Sequence, residues 1–227
     1  PRMSILDSLF EFLDLRQGIN YDDKFRLAKE LVLEVGLDPE MVYRKPSEMS
    51  GGQLQRLNIA RALASSPDII FLDEPTSSLD VSIRGQIVNL LLEKQEKYGI
   101  TFLLVAHDLR VVAVMADRVA VMYLGQFVEI CDKDNIFLKP LHPYTRGLIQ
   151  AARIDDLGFI NKNDLVRLSG ELKEDDIKSA GCRLTPMCPF YESKCNMHKG
   201  IIELRPGQWV RYWKALEVEN SNSNQIK

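Results

Sequence analysis

The sequence predicts an α/β fold. Two short apolar runs, IIFLD at 69–73 and ITFLLV at 100–105, flank an amphipathic stretch at 82–99. Alternation of strand, helix and strand is typical of a parallel sheet, and runs this apolar predict strands that are buried on both faces. A third observation is the turn SGGQ at 50–53, which places two glycines where a further helix begins.

Composition limits the class of protein. The 227 residues are 45% apolar and 27% charged with a net charge of −3, which is ordinary for a soluble chain of one large or two small domains. The surface is not strongly basic, which disfavours a protein that coats nucleic acid. No apolar run approaches the roughly 20 residues that cross a bilayer, and no signal peptide is recognisable. We therefore expect a cytoplasmic protein that can dock on a membrane protein, and because residue 1 is proline, we expect its natural start upstream.

The N-terminal third is predicted to be helical. Residues 4–16 and 22–35 carry apolar side chains at helical spacing, and Gly36 fits a helix stop. A short helix is expected at 39–43. Ser50 is expected to cap a helix that runs to about residue 64.

The remaining elements follow the second apolar run. DLRVVAVMA at 108–116 predicts a short helix, and RVAVMYLGQFVEI at 118–130 predicts a β-hairpin around Leu124 and Gly125. One more helix is expected within 138–153. Residues 154–227 show weak periodicity and end in a polar tail.

Polar residues follow both apolar runs. Asp73 and Glu74 end the first, and His107 follows the second. The carboxyl ends of parallel strands are where ligands bind, so these side chains are candidates to face one site. Asp73 can hold magnesium, Glu74 can deprotonate a water, and His107 can contact a phosphate. Each residue alone also fits a structural role at a sheet edge, and Asp80 by itself fits a helix cap.

The SGGQ turn is suited to an anion. Gly51 and Gly52 allow close approach of backbone N–H groups, and the following helix adds its positive end. Ser50 contributes a hydroxyl and Gln53 an amide. An ordinary capped helix start is the alternative. No phosphate-binding loop of the form GxxxxGK[ST] occurs in these residues, so only half of a nucleotide site is present.

Taken in order, SGGQ, DIIFLDEP, SSLD and VAHD resemble the ATP-binding-cassette (ABC) ATPases over residues 46–130. Met49 stands where that family usually has leucine. The resemblance implies that Ser50, Gly51, Gly52 and Gln53 form the signature motif. It also implies that Asp73 is the Walker B acid that binds magnesium and that Glu74 is the catalytic base. Asp80 would belong to the D-loop, and His107 would be the switch histidine.

Three further segments, PRMSI, PLHPYTRGLIQAA and GCRLTPMCPF…KC, look like the ATPase subunits of oligopeptide and dipeptide importers. The resemblance implies the C-terminal part of a P-loop (RecA-like) ABC ATPase, beginning just past the glutamine loop. Residues 1–67 would be a helical subdomain with the signature motif. Residues 68–137 would belong to the RecA-like catalytic core, and residues 138–227 would be a small C-terminal extension.

The resemblance also implies function. Such a subunit binds ATP and Mg²⁺, pairs head to tail with an identical or different ATPase subunit, and drives a membrane permease from the inner face of the cell membrane. Because the phosphate loop is absent, we expect the isolated residues to be inactive. Two alternatives remain: a truncated, non-hydrolytic protein that only occupies the dimer interface, and an ABC ATPase of a process other than transport.

Cysteines cluster near the C-terminus. Cys182, Cys188 and Cys195 lie within fourteen residues, which in a chain without a secretion signal suggests a metal or cluster site before disulfides. In the peptide-importer ATPases a similar set with a fourth cysteine resembles the ligands of an iron–sulfur cluster. Here Tyr212 or a neighbour stands where that cysteine is expected, and His198 could replace it. The alternative is three reduced thiols left from a lost site.

Overall fold

The computed structural model describes residues 3–14, 18–152, 166–171, 181–197, 200–212 and 214–215. The chain divides into two compact units, Pro1–His107 and Asp108–Lys227. The three-part division into 1–67, 68–137 and 138–227 stays a prediction. No helix among the described residues is both long and apolar enough to cross a membrane.

The first unit combines helices with two parallel strands. Its elements are α1 (Ile5–Leu13), α2 (Tyr21–Glu34), two short 3-10 helices (Pro39–Tyr43 and Pro46–Glu48), α3 (Gly51–Ala64), β1 (Ile69–Asp73), α4 (Val81–Tyr98) and β2 (Thr101–Val105). The predicted helix boundaries hold to within a few residues. Ser50 caps α3 as expected, and Gly36 follows α2 with a φ of 74°, a conformation that glycine adopts without strain.

The two strands pair in parallel, with Asp73 opposite Val105. The prediction that both faces are buried was wrong, because β1 alternates between buried and exposed side chains. Ile69 and Phe71 are 65% and 58% exposed, and Leu103 on β2 is 58% exposed. The alternation is hidden in the sequence because both faces carry apolar residues, while packing covers only one of them.

Side-chain contacts tie the helices of this unit together. The Arg56 guanidinium on α3 donates to the Val35 carbonyl at the end of α2 over 2.7 Å and to Gln86 Oε1 on α4 over 3.0 Å. Near the other end of α4, Lys97 donates to Glu34 Oε1 over 2.6 Å. These contacts link α3, which Ser50 caps, with α2 and α4.

The second unit is built on an antiparallel sheet. Its elements are α5 (Leu109–Met115), β3 (Arg118–Tyr123), β4 (Gln126–Asp132), α6 (Lys133–Leu138), α7 (Pro143–Ala151), a 3-10 helix (Ser193–Asn196), β5 (Ile202–Arg205) and β6 (Gln208–Val210). The described strands lie in the order β3-β4-β6-β5. The hairpin around Leu124 and Gly125 is as predicted. The short elements α6, β5 and β6 were not predicted, because their patterns are too brief to stand out.

Candidate functional site

Two side chains meet at the carboxyl ends of the parallel strands. Glu74 Oε1 lies 3.1 Å from His107 Nδ1, and both side chains are open to solvent. Asp73, the last residue of β1, is also exposed. The sheet therefore presents two carboxylates and an imidazole on one edge, as the sequence predicted for these positions.

The backbone at Glu74 is unusual. Its φ of 44° is in the left-handed region, which side-chain-bearing residues rarely adopt. The Glu74 N–H donates to the Val105 carbonyl over 2.9 Å, and the Glu74 carbonyl accepts from the N–H and hydroxyl of Ser77 over 3.2 and 3.1 Å. Strained conformations that the surroundings hold in place cluster at functional sites, which supports a functional role for this residue.

The SGGQ turn opens α3 with reciprocal bonds. The Ser50 hydroxyl accepts from the Gln53 N–H over 3.3 Å, and Gln53 Oε1 accepts from the Ser50 N–H over 3.0 Å. This capping box fixes the start of the helix. The first N–H groups of a helix have no partner within the helix, so the exposed turn at Gly51 offers them to an anion.

Asp80 lies close to this turn. It caps α4 by accepting from the Ile83 N–H over 3.0 Å and the Ser82 hydroxyl over 2.9 Å, and these two bonds hold the pKa of its carboxyl below the usual range. A Cβ on Gly51 would lie 3.8 Å from Leu79, the residue before Asp80. The structure thus groups the SGGQ turn with Asp80, and Glu74 with His107.

The three clustered cysteines line one pocket in the second unit. The other lining residues are His142, Pro143, Thr185, Arg211 and Tyr212. The sequence predicted the grouping of the cysteines and the place of Tyr212, but it missed His142 and Arg211 because no local pattern links them to the cysteines. Cys131 is elsewhere: it is buried in β4, and burial raises its pKa to about 12. His198 lies outside the described residues.

The pocket favours neutral groups. Burial raises the pKa of the Cys182 thiol, raises that of Cys188 to about 11, and lowers that of His142 to about 3. One cation opposes this trend, because Arg211 Nη1 is buried and has no hydrogen-bond partner among the residues that the structure describes. Within those residues, no group of three or more histidine, cysteine or acidic side chains is arranged to hold a metal ion.

A buried carboxylate holds one wall of this pocket. Glu129 on β4 is fully buried, and its two oxygens accept the backbone N–H groups of Leu141 and His142, each over 2.9 Å. Burial raises its pKa to about 7, although the two N–H groups oppose the rise. Glu129 thereby fixes the residues that precede α7, including His142.

Comparison with protein families gives two matches in separate parts of the chain. The ABC transporter model matches residues 1–77, and the model of the oligopeptide/dipeptide transporter C-terminal region matches residues 128–195. An AAA domain model matches residues 42–113. The matches cover the SGGQ turn, the end of β1 and the cysteines.

Similar proteins include the probable D,D-dipeptide transport ATP-binding protein of Escherichia coli, which is 39% identical over 95% of this chain and 70% of its own length. The oligopeptide transport ATP-binding protein of Salmonella typhimurium is 40% identical over 89% of this chain and 61% of its own length. The chain thus spans between 61% and 70% of these two relatives.

Solved structures of ATP-binding cassettes share the fold. A dimeric cassette in a post-hydrolysis state, bound to ADP and Pi, matches with a TM-score of 0.53 and 30% identity, over 59% of this chain and 58% of its own. A metal-chelate type ABC transporter in an inward-facing conformation matches with a TM-score of 0.54 and 26% identity, over 61% of this chain and 57% of its own. The α/β architecture is therefore that of an ABC ATPase.

Proposed function

Because this chain belongs to the ATP-binding proteins of oligopeptide and dipeptide ABC transporters, we propose that it is part of the subunit that couples ATP hydrolysis to peptide import. The partners in this proposal are a second ATPase subunit and the membrane permease. The place of action is the inner face of the cell membrane. The cofactor that the proposal includes is Mg²⁺, with ATP as substrate.

The observation that carries the proposal is the pair formed by Glu74 and His107, 3.1 Å apart beside Asp73. Glu74 is placed to accept a proton from a water that attacks the γ-phosphate. His107 orients the Glu74 carboxylate and can itself contact the phosphate. Asp73 is an exposed oxygen ligand at the strand end, which fits Mg²⁺, and that ion would offset the negative charge of the phosphates.

The second group, the SGGQ turn with Asp80, has a different task in this proposal. In the ABC family the signature motif closes over ATP that is held by the opposite subunit. Backbone N–H groups and the positive end of α3 suit that contact. The tight packing between the starts of α3 and α4 supports the idea that the turn and Asp80 approach the partner together.

Residues 1–227 by themselves are proposed to be inactive. They contain no GxxxxGK[ST] loop, whose backbone and lysine would bind the β- and γ-phosphates. Without that loop, Glu74 would have no γ-phosphate held against it. A longer polypeptide that supplies such a loop would hydrolyse ATP.

ATP turnover tests the proposal. We would measure phosphate release by residues 1–227, by a polypeptide that adds a family phosphate loop upstream, and by its Glu74→Gln variant. The expected result is turnover by the longer polypeptide only, with loss in the variant. Turnover by residues 1–227 that Glu74→Gln abolishes would refute the proposed inactivity. If the longer polypeptide releases no phosphate even with a family partner subunit and permease present, the proposed ATPase activity is refuted.

A cluster on Cys182, Cys188 and Cys195 is not part of this proposal. The three thiols share a pocket, but the family resemblance implies four cysteine ligands, and the other residues that line the pocket, Tyr212 among them, include no fourth cysteine. The residues present therefore do not fit a four-cysteine cluster.

A further inference from the structure

The cysteine pocket of the second unit has three thiols and one aromatic wall. We infer that this pocket is one ligand short of an iron–sulfur site, that Tyr212 fills the place of the missing ligand, and that one substitution at residue 212 completes the site. The pocket is then a metal-free thiol site in this chain. This inference is independent of ATP hydrolysis.

Tyr212 is a packing residue. It is 7% exposed and belongs to an apolar cluster with Leu141, Val210 and Ala215. Its ring also meets the ring of His142 edge-on, with 6.1 Å between the centroids. Because the ring is fixed by these contacts, its bulk lines the pocket together with the three cysteines.

His142 does not replace the missing ligand. Its Nδ1 accepts the Tyr144 N–H over 3.1 Å, so the neutral ring carries its proton on Nε2. That nitrogen lies 3.9 Å from Cys182 Sγ. A ring nitrogen that carries its proton does not bind a metal through the same atom, so in this tautomer His142 is not the missing ligand.

Arg211 brings a hydrogen-bond donor to the pocket. Its Nη1 is buried without a hydrogen-bond partner among the described residues, although its Nε donates to the Phe127 carbonyl over 3.2 Å. A buried guanidinium N–H without an acceptor is costly, and bound thiolates or cluster sulfides would satisfy it. An N–H donor beside thiolates is the kind of group that an anionic sulfur cluster needs around it.

Protein contacts hold the cysteines without metal. The Cys182 N–H donates to the Cys195 carbonyl over 3.2 Å, and the Glu192 N–H approaches Cys195 Sγ at 3.5 Å. Gln126 on β4 bonds both sides of this segment, donating to the Gly181 carbonyl over 3.1 Å and accepting from the Arg183 N–H over 3.3 Å. The loop is thus positioned by the sheet, and the three thiols line one pocket without metal.

Reconstitution tests the inference. The wild-type chain, Tyr212→Cys and the matched control Tyr212→Phe are incubated with Fe²⁺ and sulfide without oxygen, desalted, and assayed for iron, sulfide and visible absorption. We expect about four iron atoms per chain and a thiolate-to-iron absorption band in Tyr212→Cys. Wild type and Tyr212→Phe should retain only background iron.

Two further variants keep the test decisive. Tyr212→His retains a ring in the apolar cluster while supplying a nitrogen ligand, so it replaces Tyr212→Cys if the smaller side chain unfolds the module. Adding Cys188→Ser to the variant that binds iron should remove the band. A wild-type chain that holds as much iron as Tyr212→Cys would overturn the inference, and so would folded Tyr212→Cys and Tyr212→His chains that both stay iron-free.

Discussion

Gly52 at the start of α3 lies directly against Ile83 at the start of α4: a Cβ on Gly52 would stand 2.8 Å from Ile83 Cγ2. Real Cβ atoms do not come that close to another carbon, so the two helices approach as they do only because residue 52 is glycine. In the proposed function, the same residue also lets an anion approach the turn. Gly52 therefore fixes the packing of the SGGQ turn against the helix that Asp80 caps.

This contact predicts that a second substitution restores part of the stability that the first one removes. Gly52→Ala should lower the free energy of unfolding by about 1–3 kcal/mol, the usual cost of an overpacked contact. Ile83→Ala in the same chain should restore part of the loss, because it removes the methyl group that clashes. Gly51→Ala is the matched control, since its Cβ would lie 3.8 Å from Leu79 Cδ2 in ordinary contact. Urea unfolding of Gly52→Ala, Ile83→Ala, the double variant and Gly51→Ala gives the coupling, and additive effects would contradict the packing argument.

Arg56 gives a second prediction. Arg56→Ala removes the donors to the Val35 carbonyl and to Gln86, and we expect a loss of roughly 1–3 kcal/mol because the carbonyl becomes unsatisfied in a half-buried place. Arg56→Lys keeps one donor and should lose less. Gln86→Ala should be nearly neutral in the Arg56→Ala background but costly in wild type. Equal effects of Gln86→Ala in both backgrounds would show that the two side chains are not coupled.

Local signals predicted much of the first unit. Ser50 followed by Gln53 three residues later is a capping box in sequence, and it is one in the structure. The strand ends were located by apolar runs that stop at Asp73 and His107, and parallel pairing then brought their side chains together. The exposed face of β1 was not predictable, because Phe71 has the same character as the buried Leu72.

The second unit shows where sequence reasoning stops. The pocket combines residues from α7, the cysteine segment and the end of β6, which are separated by tens of residues and share no local pattern. The clustered cysteines could be recognised because they are close in sequence and chemically alike. Glu129 on β4 and Arg211 just after β6 look like ordinary surface charges, and only the tertiary structure reveals that Glu129 and the Nη1 of Arg211 are buried.

The role of general base that we propose for Glu74 gives a third prediction. In a longer polypeptide that hydrolyses ATP, Glu74→Gln should lower kcat by roughly 100- to 10,000-fold, because a general base is lost while the shape of the side chain is kept. Its KM for ATP should change little. Glu96→Gln is the matched control, since Glu96 is an exposed acid on α4 away from the strand ends. A Glu74→Gln enzyme with near wild-type kcat would show that another group accepts the proton.

The exposed face of the parallel strands predicts self-association. Ile69, Phe71, Leu103 and Val105 project from neighbouring strands and are between 46% and 65% exposed. Contiguous apolar surface of this kind promotes association. Phe71→Thr should shift sedimentation velocity profiles of residues 1–227 towards monomer, whereas Val114→Thr, a similarly exposed position on α5, should not. Equal shifts in both variants would mean that this face is not the contact.

Glu129 predicts a pH dependence of stability. Its pKa is raised from 4.5 to about 7 in the folded chain, so folding favours the neutral carboxyl. The stabilisation is complete below the unfolded pKa and is lost as the pH rises through the folded pKa. A pKa rise of this size corresponds to roughly 3 kcal/mol in the free energy of unfolding.

The comparison of wild type with Glu129→Gln isolates this effect. The Glu129→Gln variant should be less stable overall. The two oxygens of Glu129 accept the backbone N–H groups of Leu141 and His142, whereas the amide of glutamine places an N–H₂ donor against one of them. The stability difference between wild type and variant should shrink as the pH rises from about 5 to about 8, because only the wild type loses the neutral carboxyl. Glu96→Gln, an exposed acid on α4, should show a constant difference over the same range. Urea unfolding at several pH values measures both differences. A Glu129→Gln difference that stays constant from about pH 5 to about pH 8 would mean that the two N–H donors outweigh burial and that Glu129 is already charged in the fold.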